Sequence, residues 1–201
     1  MKIWTFTICM ILAGAFSLRA DTMVTVDTSA LNGTSAQIAF DFIDGGSPSN
    51  SVTISGFTTD GTLGSNQPPS GGVSGTLPGT VVLTDSCSSC LFNEYLRDIT
   101  LGSTFSFDLS VTTNPPDSMS FPDAFSLFLL DSTESPLFPT TDPTGSNSLL
   151  TLNIDGSAIG DLSIYDSSVS TAPANTTVPE PCTLLLMGTG LLLMLRKRMA
   201  H

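Results

Sequence analysis

Apolar and polar residues alternate with a period of two along much of the chain. Ile38, Phe40 and Phe42 share one face of the stretch 37–43, and Phe105, Phe107, Leu109 and Val111 share one face of 104–112, with Ser106, Asp108 and Ser110 on the other. Phe125, Leu127 and Leu129 repeat the pattern; Val52 and Ile54 do so less regularly, with Phe57 displaced beyond Gly56. Such alternation places one face of an extended strand in a core and the other in water. Adding the shorter apolar runs 23–26, 81–84, 149–154 and 162–165 gives about eight strands. No segment between positions 21 and 180 sustains the 3.6-residue stripe of an amphipathic helix. The pattern therefore predicts an all-β fold, a single β-sandwich or jelly-roll-like domain over residues 21–166.

The rest of the body agrees. Positions 21–180 hold 27 Ser and 23 Thr, with Gly and Pro interrupting them every few residues, which disfavours helix throughout. Phe40, Phe42, Phe57, Phe92, Phe105, Phe107, Phe121, Phe125 and Phe128 are the candidate core, and Phe138 sits in a Pro-flanked turn. Asp44-Gly45-Gly46 supplies a turn after the strand that ends at Ile43. The Gly, Ser and Pro of 61–79 predict a long loop or irregular hairpin. Residues 167–178, rich in Ser, Thr, Ala and Pro, predict an extended stalk. No repeat period is present, which excludes a solenoid.

Charge changes the picture more than composition does. All 18 acids lie between Asp21 and Glu180, where Arg97 is the only base; the other five basic residues, Lys2, Arg19, Arg196, Lys197 and Arg198, flank that stretch. The net charge of −12 thus understates how acidic the body is. Nucleic acid is excluded as a partner, because neutralising phosphates takes clustered Lys and Arg. The body has no Lys and no His, the single histidine being His201, so Ser-His-Asp, Cys-His and Ser-Lys catalysis lack their base.

The flanks carry an address. Lys2, an apolar stretch over 3–18, and Leu18-Arg19-Ala20 before Asp21 have the layout of a secretory signal peptide, residues 1–20, read by the Sec translocon and signal peptidase. The alternative is an uncleaved anchor, which the shortness of the run and the small residues Ala13, Gly14 and Ala15 disfavour. At the other end, the uncharged stretch 183–195 rises only about 20 Å as a helix, against about 30 Å for the hydrocarbon core. By pattern it is either a short transmembrane helix or a hydrophobic tail. The basic cluster Arg196, Lys197, Arg198 stays cytoplasmic and sets residues 21–180 outside.

Pro179, Glu180 and Pro181, then that apolar run, then Arg196, Lys197 and Arg198 resemble the PEP-CTERM sorting signal, over residues 179–201. The resemblance implies recognition by an exosortase of a Gram-negative bacterium that makes exopolysaccharide. A passing inner-membrane intermediate is then cut near the motif and delivered to the cell surface or extracellular matrix. Cys182 stands where Ser or Ala is more usual in such tails. Similar tails also occur on proteins labelled ice-binding, so the tail alone identifies no activity. The stretch Phe40-Asp41-Phe42-Ile43-Asp44-Gly45-Gly46, followed by 50–57, resembles a pattern in small PEP-CTERM proteins of uncharacterised role and transfers no catalytic residue.

Candidate chemistry in the body is sparse. Cys87 and Cys90 predict a local structural disulfide in an oxidising compartment. A redox pair there would need cations to hold a thiolate, and Asp85, Glu94 and Asp98 surround it with Arg97 alone opposing; zinc would need two further ligands. The loop oxygens of Asp44, Asp60, Asp142, Asn147 and Asp155 suit calcium chemically without matching an EF-hand spacing, so no metal ligand and no cofactor is assigned. Asp27 and Asp131, each followed by Thr or Ser, faintly resemble an aspartic-protease turn but lack the following Gly and read as strand exits. Tyr95 and Tyr165, the two tyrosines, read as strand-end residues with their hydroxyls in water rather than as sugar platforms.

The expectation is a non-enzymatic exported surface or matrix protein, partnered by exosortase and exopolysaccharide. A calcium-dependent carbohydrate-binding module is the first alternative and a carboxylate-based hydrolase the second.

Overall fold

The structure, a computed structural model of the 201-residue chain, describes residues 21–46, 49–85, 91–116, 118, 120–156 and 161–174. The expected signal peptide, Cys87 and Cys90 with their expected disulfide, the 183–195 segment and the expected sorting signal lie outside the described residues. Among those described, no helix is long and apolar enough to cross a membrane.

The fold is all-β. In chain order the strands are β1 (Thr22–Asp27), β2 (Ser35–Ile43), β3 (Ser51–Thr59), β4 (Thr62–Asn66), β5 (Gly72–Gly75) and β6 (Val81–Thr84). They continue with β7 (Phe92–Thr100), β8 (Thr104–Val111), β9 (Asp123–Leu130), β10 (Leu150–Ile154), β11 (Asp161–Ile164) and β12 (Val169–Pro173). Two antiparallel six-stranded sheets result, in the orders β12-β1-β8-β3-β6-β5 and β11-β10-β9-β2-β7-β4. A single apolar cluster lies between them, so the arrangement is β-sandwich-like. At its centre Phe40 of β2 meets Phe107 of β8 edge-on across the sheets at 5.2 Å between ring centroids, and it stacks on Tyr95 at 6.2 Å and Phe125 at 6.1 Å.

Eight of these strands are the ones that alternation predicts, and the other four break the pattern for identifiable reasons. β7 points Asn93 and Tyr95 inward, both fully buried, so a polar residue occupies a core position and hides the period. β4, β5 and β12 are edge strands with little or nothing to bury. The stretch 61–79 is not a hairpin: β4 pairs with β7 in one sheet and β5 with β6 in the other. The first part of the expected stalk is also structured, since Val169–Pro173 pairs with β1 from Thr22↔Pro173 to Val26↔Val169. Backbone hydrogen bonding takes the folded body to Ala174, whose N–H donates to Asp21.

Expectations for four aromatic residues also change. Phe92 is 42 % and Phe121 79 % exposed. Phe128 packs on a small second cluster with Ala39, Leu96 and Leu130, apart from the main core. Tyr95 is fully buried, not at a wet strand end, and its hydroxyl accepts the Leu77 N–H at 2.9 Å.

The link from β2 to β3 crosses between sheets. Asp44 accepts the Gly46 N–H at 2.6 Å, so the Asp-Gly-Gly turn forms, but the chain returns in the opposite sheet. Gly45 is required there: a Cβ would collide with the backbone carbonyls of Phe121 and Pro122. Gly56, at φ +60°, lies where the register of β3 on β8 shifts between Ser55 and Thr58, a bulge that explains why Phe57 falls out of step with Val52 and Ile54.

Candidate functional site

Six central strand ends meet at one end of the sandwich. β3 begins, and β6 and β8 end, in one sheet; β2 ends, and β7 and β9 begin, in the other. Strand ends leave backbone groups without ladder partners, and here side chains take them up. Asn50, 3 % exposed just before β3, is the hub. Its Nδ2 donates to the Asn114 carbonyl at 3.1 Å and to Asp123 Oδ2 at 2.7 Å, while its Oδ1 accepts from Thr112 Oγ1 at 2.8 Å and the Asn114 N–H at 3.0 Å. Its own N–H donates to Asp85 Oδ2 at 2.7 Å. The sheets are thereby tied together by side chains as well as by the core.

Three carboxylates converge beside that hub. One oxygen each from Asp44, Asp85 and Asp123 lies within 4.8 Å of the other two. Asp123 is fully buried, with Oδ1 accepting the Gly45 N–H at 2.8 Å and Oδ2 held by Asn50. Asp85 is 8 % exposed; its Oδ1 is buried with no hydrogen-bond partner. Burial raises the Asp85 carboxyl above its ordinary range; the Asn50 N–H opposes this, and the charges of Asp123 and Asp44, together with the contact between the Asp85 and Asp123 carboxyls, add to it. The ligand atoms are all hard oxygens, a set that suits calcium or magnesium and not zinc.

Of the acids singled out by sequence, only Asp44 belongs to this group. Asp60 accepts the Ser103 and Thr104 N–H groups at 3.0 and 2.9 Å, which hold its carboxyl below the usual range. At Asp142 burial works against ionisation but is overcome by hydrogen bonds from Ser146, Thr144 and Ser148, so this carboxyl is also held low. Asn147 Oδ1 accepts the Thr140 N–H at 3.1 Å in the same loop. Asp27 and Asp131 cap the turns after β1 and β9 by accepting from Ser29 and from Thr133 and Ser135, as strand-exit residues do. Tyr165 lines a surface cavity of about 610 Å³ with Pro139, Thr141 and Ile164.

Asn50, Asp85 and Asp123 are absent from the sequence-derived set. Asn50 and Asp85 flank β3 and β6 and Asp123 opens β9, strands that the sequence pattern locates, but which strand ends share a corner depends on a strand order that no local pattern encodes.

A second carboxylate pair lies on the outer face of the other sheet, where Asp41 of β2 stands opposite Glu94 of β7. Burial, reinforced by the Glu94 charge, pushes the Asp41 carboxyl up to about 7, and its Oδ1 is buried without a partner. Burial and the Glu134 charge raise Glu94 as well. Neither residue lines the Tyr165 cavity or the cavity of about 450 Å³ walled by Gln37, Gln67 and Asp98. The pair is therefore better read as a stability determinant. With its folded-state pKa above the ordinary 3.8, Asp41 keeps its proton longer in the native state, so stability falls as pH rises from about 4 through about 7. The full linkage is about 4 kcal/mol, which water at the half-buried carboxyl reduces to on the order of 2 kcal/mol. Asp41→Asn is expected to raise the melting temperature by about 4–8 °C at pH 8 and to leave it nearly unchanged at pH 4. Thermal melts across that range check it; an equal shift at both pH values contradicts it.

Comparison of the chain with protein-family models, with curated proteins and with solved structures gives no match.

Proposed function

We propose that this is an exported protein of the cell surface or extracellular matrix, held in the inner membrane by its C-terminal segment until an exosortase cuts near Pro179, Glu180 and Pro181, and that its role is structural or binding rather than enzymatic. The observation that carries the reading is the order of the tail: the Pro-Glu-Pro motif, an uncharged run over 183–195, then Arg196, Lys197 and Arg198. The charge layout supports it, because a body with eighteen acids and one arginine lies between basic flanks that prefer the cytoplasmic side.

Two structural facts agree with this order of parts. β1 starts at Thr22, directly after the cut expected following Ala20, so removal of residues 1–20 leaves every described strand whole. Among the described residues the last strand ends at Pro173, and Pro179, Glu180 and Pro181 follow it in sequence by a few residues. Asp27, Asp60, Asp131 and Asp142 each spend a carboxylate on neighbouring N–H groups, the work of turn caps rather than of acid–base chemistry.

Alkaline phosphatase fused after Ala174, which leaves β12 whole, is expected to be active in an export-competent Gram-negative host. Activity confined to a cytoplasmic reporter at the same junction would refute the topology.

A further inference from the structure

We propose that Asp44, Asp85 and Asp123 bind a calcium ion that clamps the two sheets together at the Asn50 end of the sandwich. Asp85 comes from the end of β6 in one sheet, whereas Asp44 and Asp123 come from the end of β2 and the start of β9 in the other. Three carboxylates drawn to one point across a sheet interface repel one another, and burial removes the water that would screen them. Asn50 supplies hydrogen bonds, but no positive charge. Lys and His do not occur in residues 21–180, and the one arginine there, Arg97, directs Nη1 to Thr76.

The independent sign of a missing partner is Asp85. Its Oδ2 is committed to the Asn50 N–H, while its Oδ1 is buried and, among the described residues, meets the Asp123 carboxyl rather than any N–H or hydroxyl donor, in a side chain 8 % exposed. A buried carboxylate oxygen left without any donor is costly, and a cation removes that cost together with the repulsion. The site is also preorganised. Nitrogen donors hold one oxygen of Asp44 (Gly46 N–H), one of Asp85 (Asn50 N–H) and both of Asp123 (Gly45 N–H on Oδ1, Asn50 Nδ2 on Oδ2).

Size and donor type select calcium. At a Ca–O distance of about 2.3–2.6 Å one ion bridges oxygens up to about 5 Å apart, which covers the separation of at most 4.8 Å found here. Magnesium demands near-ideal octahedral geometry and gives up its water reluctantly, which suits a cage of protein carboxylates less well than the flexible calcium shell does. With three protein carboxylates and water completing the shell, the affinity expected is that of an extracellular module, a dissociation constant of about 0.1–1 mM. The inference stands on the geometry of the sandwich and is independent of whether the tail is a sorting signal.

The test uses the purified full chain in detergent, stripped with EDTA and titrated with calcium chloride or magnesium chloride at fixed ionic strength. Calcium at about 10 mM is expected to raise the melting temperature by about 5–10 °C, with one ion bound per chain by equilibrium dialysis and a clearly smaller response to magnesium. Asp85→Asn should abolish the shift. Asp44→Asn, at a half-buried position where folding is not in question, should weaken calcium binding at least about tenfold by removing one of the three charged ligands. The proposal is overturned by the absence of bound calcium at 10 mM, by an undiminished shift in Asp44→Asn, or by an equal response to magnesium. It is likewise overturned if acidification alone reproduces the full stabilisation in EDTA and calcium adds nothing at neutral pH, the behaviour of a proton shared between Asp85 and Asp123.

Discussion

Asn50→Ala is expected to lower the unfolding free energy by about 3–5 kcal/mol, a large part of the 5–15 kcal/mol that holds an ordinary domain together. The substitution removes four side-chain hydrogen bonds at once, and each released group stays in a corner where water cannot easily replace the amide. Asp123 suffers most: it is fully buried, and losing the Asn50 Nδ2 donor strips its Oδ2 of the hydrogen bond that held it, the Gly45 N–H staying on Oδ1. For a chain of this size the melting temperature should fall by about 6–15 °C. Asn114→Ala provides the contrast. Its side chain donates only to the exposed Ser49 carbonyl, so its loss should cost about 1 kcal/mol or less. A double-mutant cycle with Asp123→Asn should show strong coupling, because the stranded charge is what makes the first substitution severe. Additive losses would mean that Asn50 acts on the loop backbone alone.

The same corner shows where sequence reading succeeds and where it stops. Phe40, Phe107 and Phe125 are legible as core because each sits on an alternating strand and buries one face; the structure brings the three rings together across the two sheets. β7 is not legible, since Asn93 points inward and spends its amide on Phe42 and Gly72 rather than on water. Exposed edge strands such as β5, with the sequence Gly-Val-Ser-Gly, carry no apolar face for a periodicity to reveal. Asp85 and Asp123 look like any acid beside a strand until the sheet order places β6 and β9 at one end. Asp44 is visible through its turn, yet spacing groups it with the acids of other loops, because proximity across two sheets is a property of topology.

The second large effect concerns the tail. Replacing Pro179 and Pro181 with alanine should leave the sandwich intact, since both follow β12 in sequence and the described pairing of that strand ends at Pro173. Export should also continue, because the signal over residues 1–20 is unchanged. Processing should instead change from nearly complete to nearly absent, with uncut protein accumulating in the inner membrane. It would be held there by residues 183–195 and oriented by Arg196, Lys197 and Arg198. A passive anchor behaves differently: the substitutions alter nothing, and full-length protein dominates in the wild type as well.

The central claim is most directly tested by the intact mass of the mature protein recovered from the surface fraction of an exosortase-bearing host. The account predicts a chain that begins at or near Asp21 and ends close to the Pro179-Glu180-Pro181 motif, without the apolar run and basic cluster. A mature chain that still ends at His201 in most molecules would contradict it.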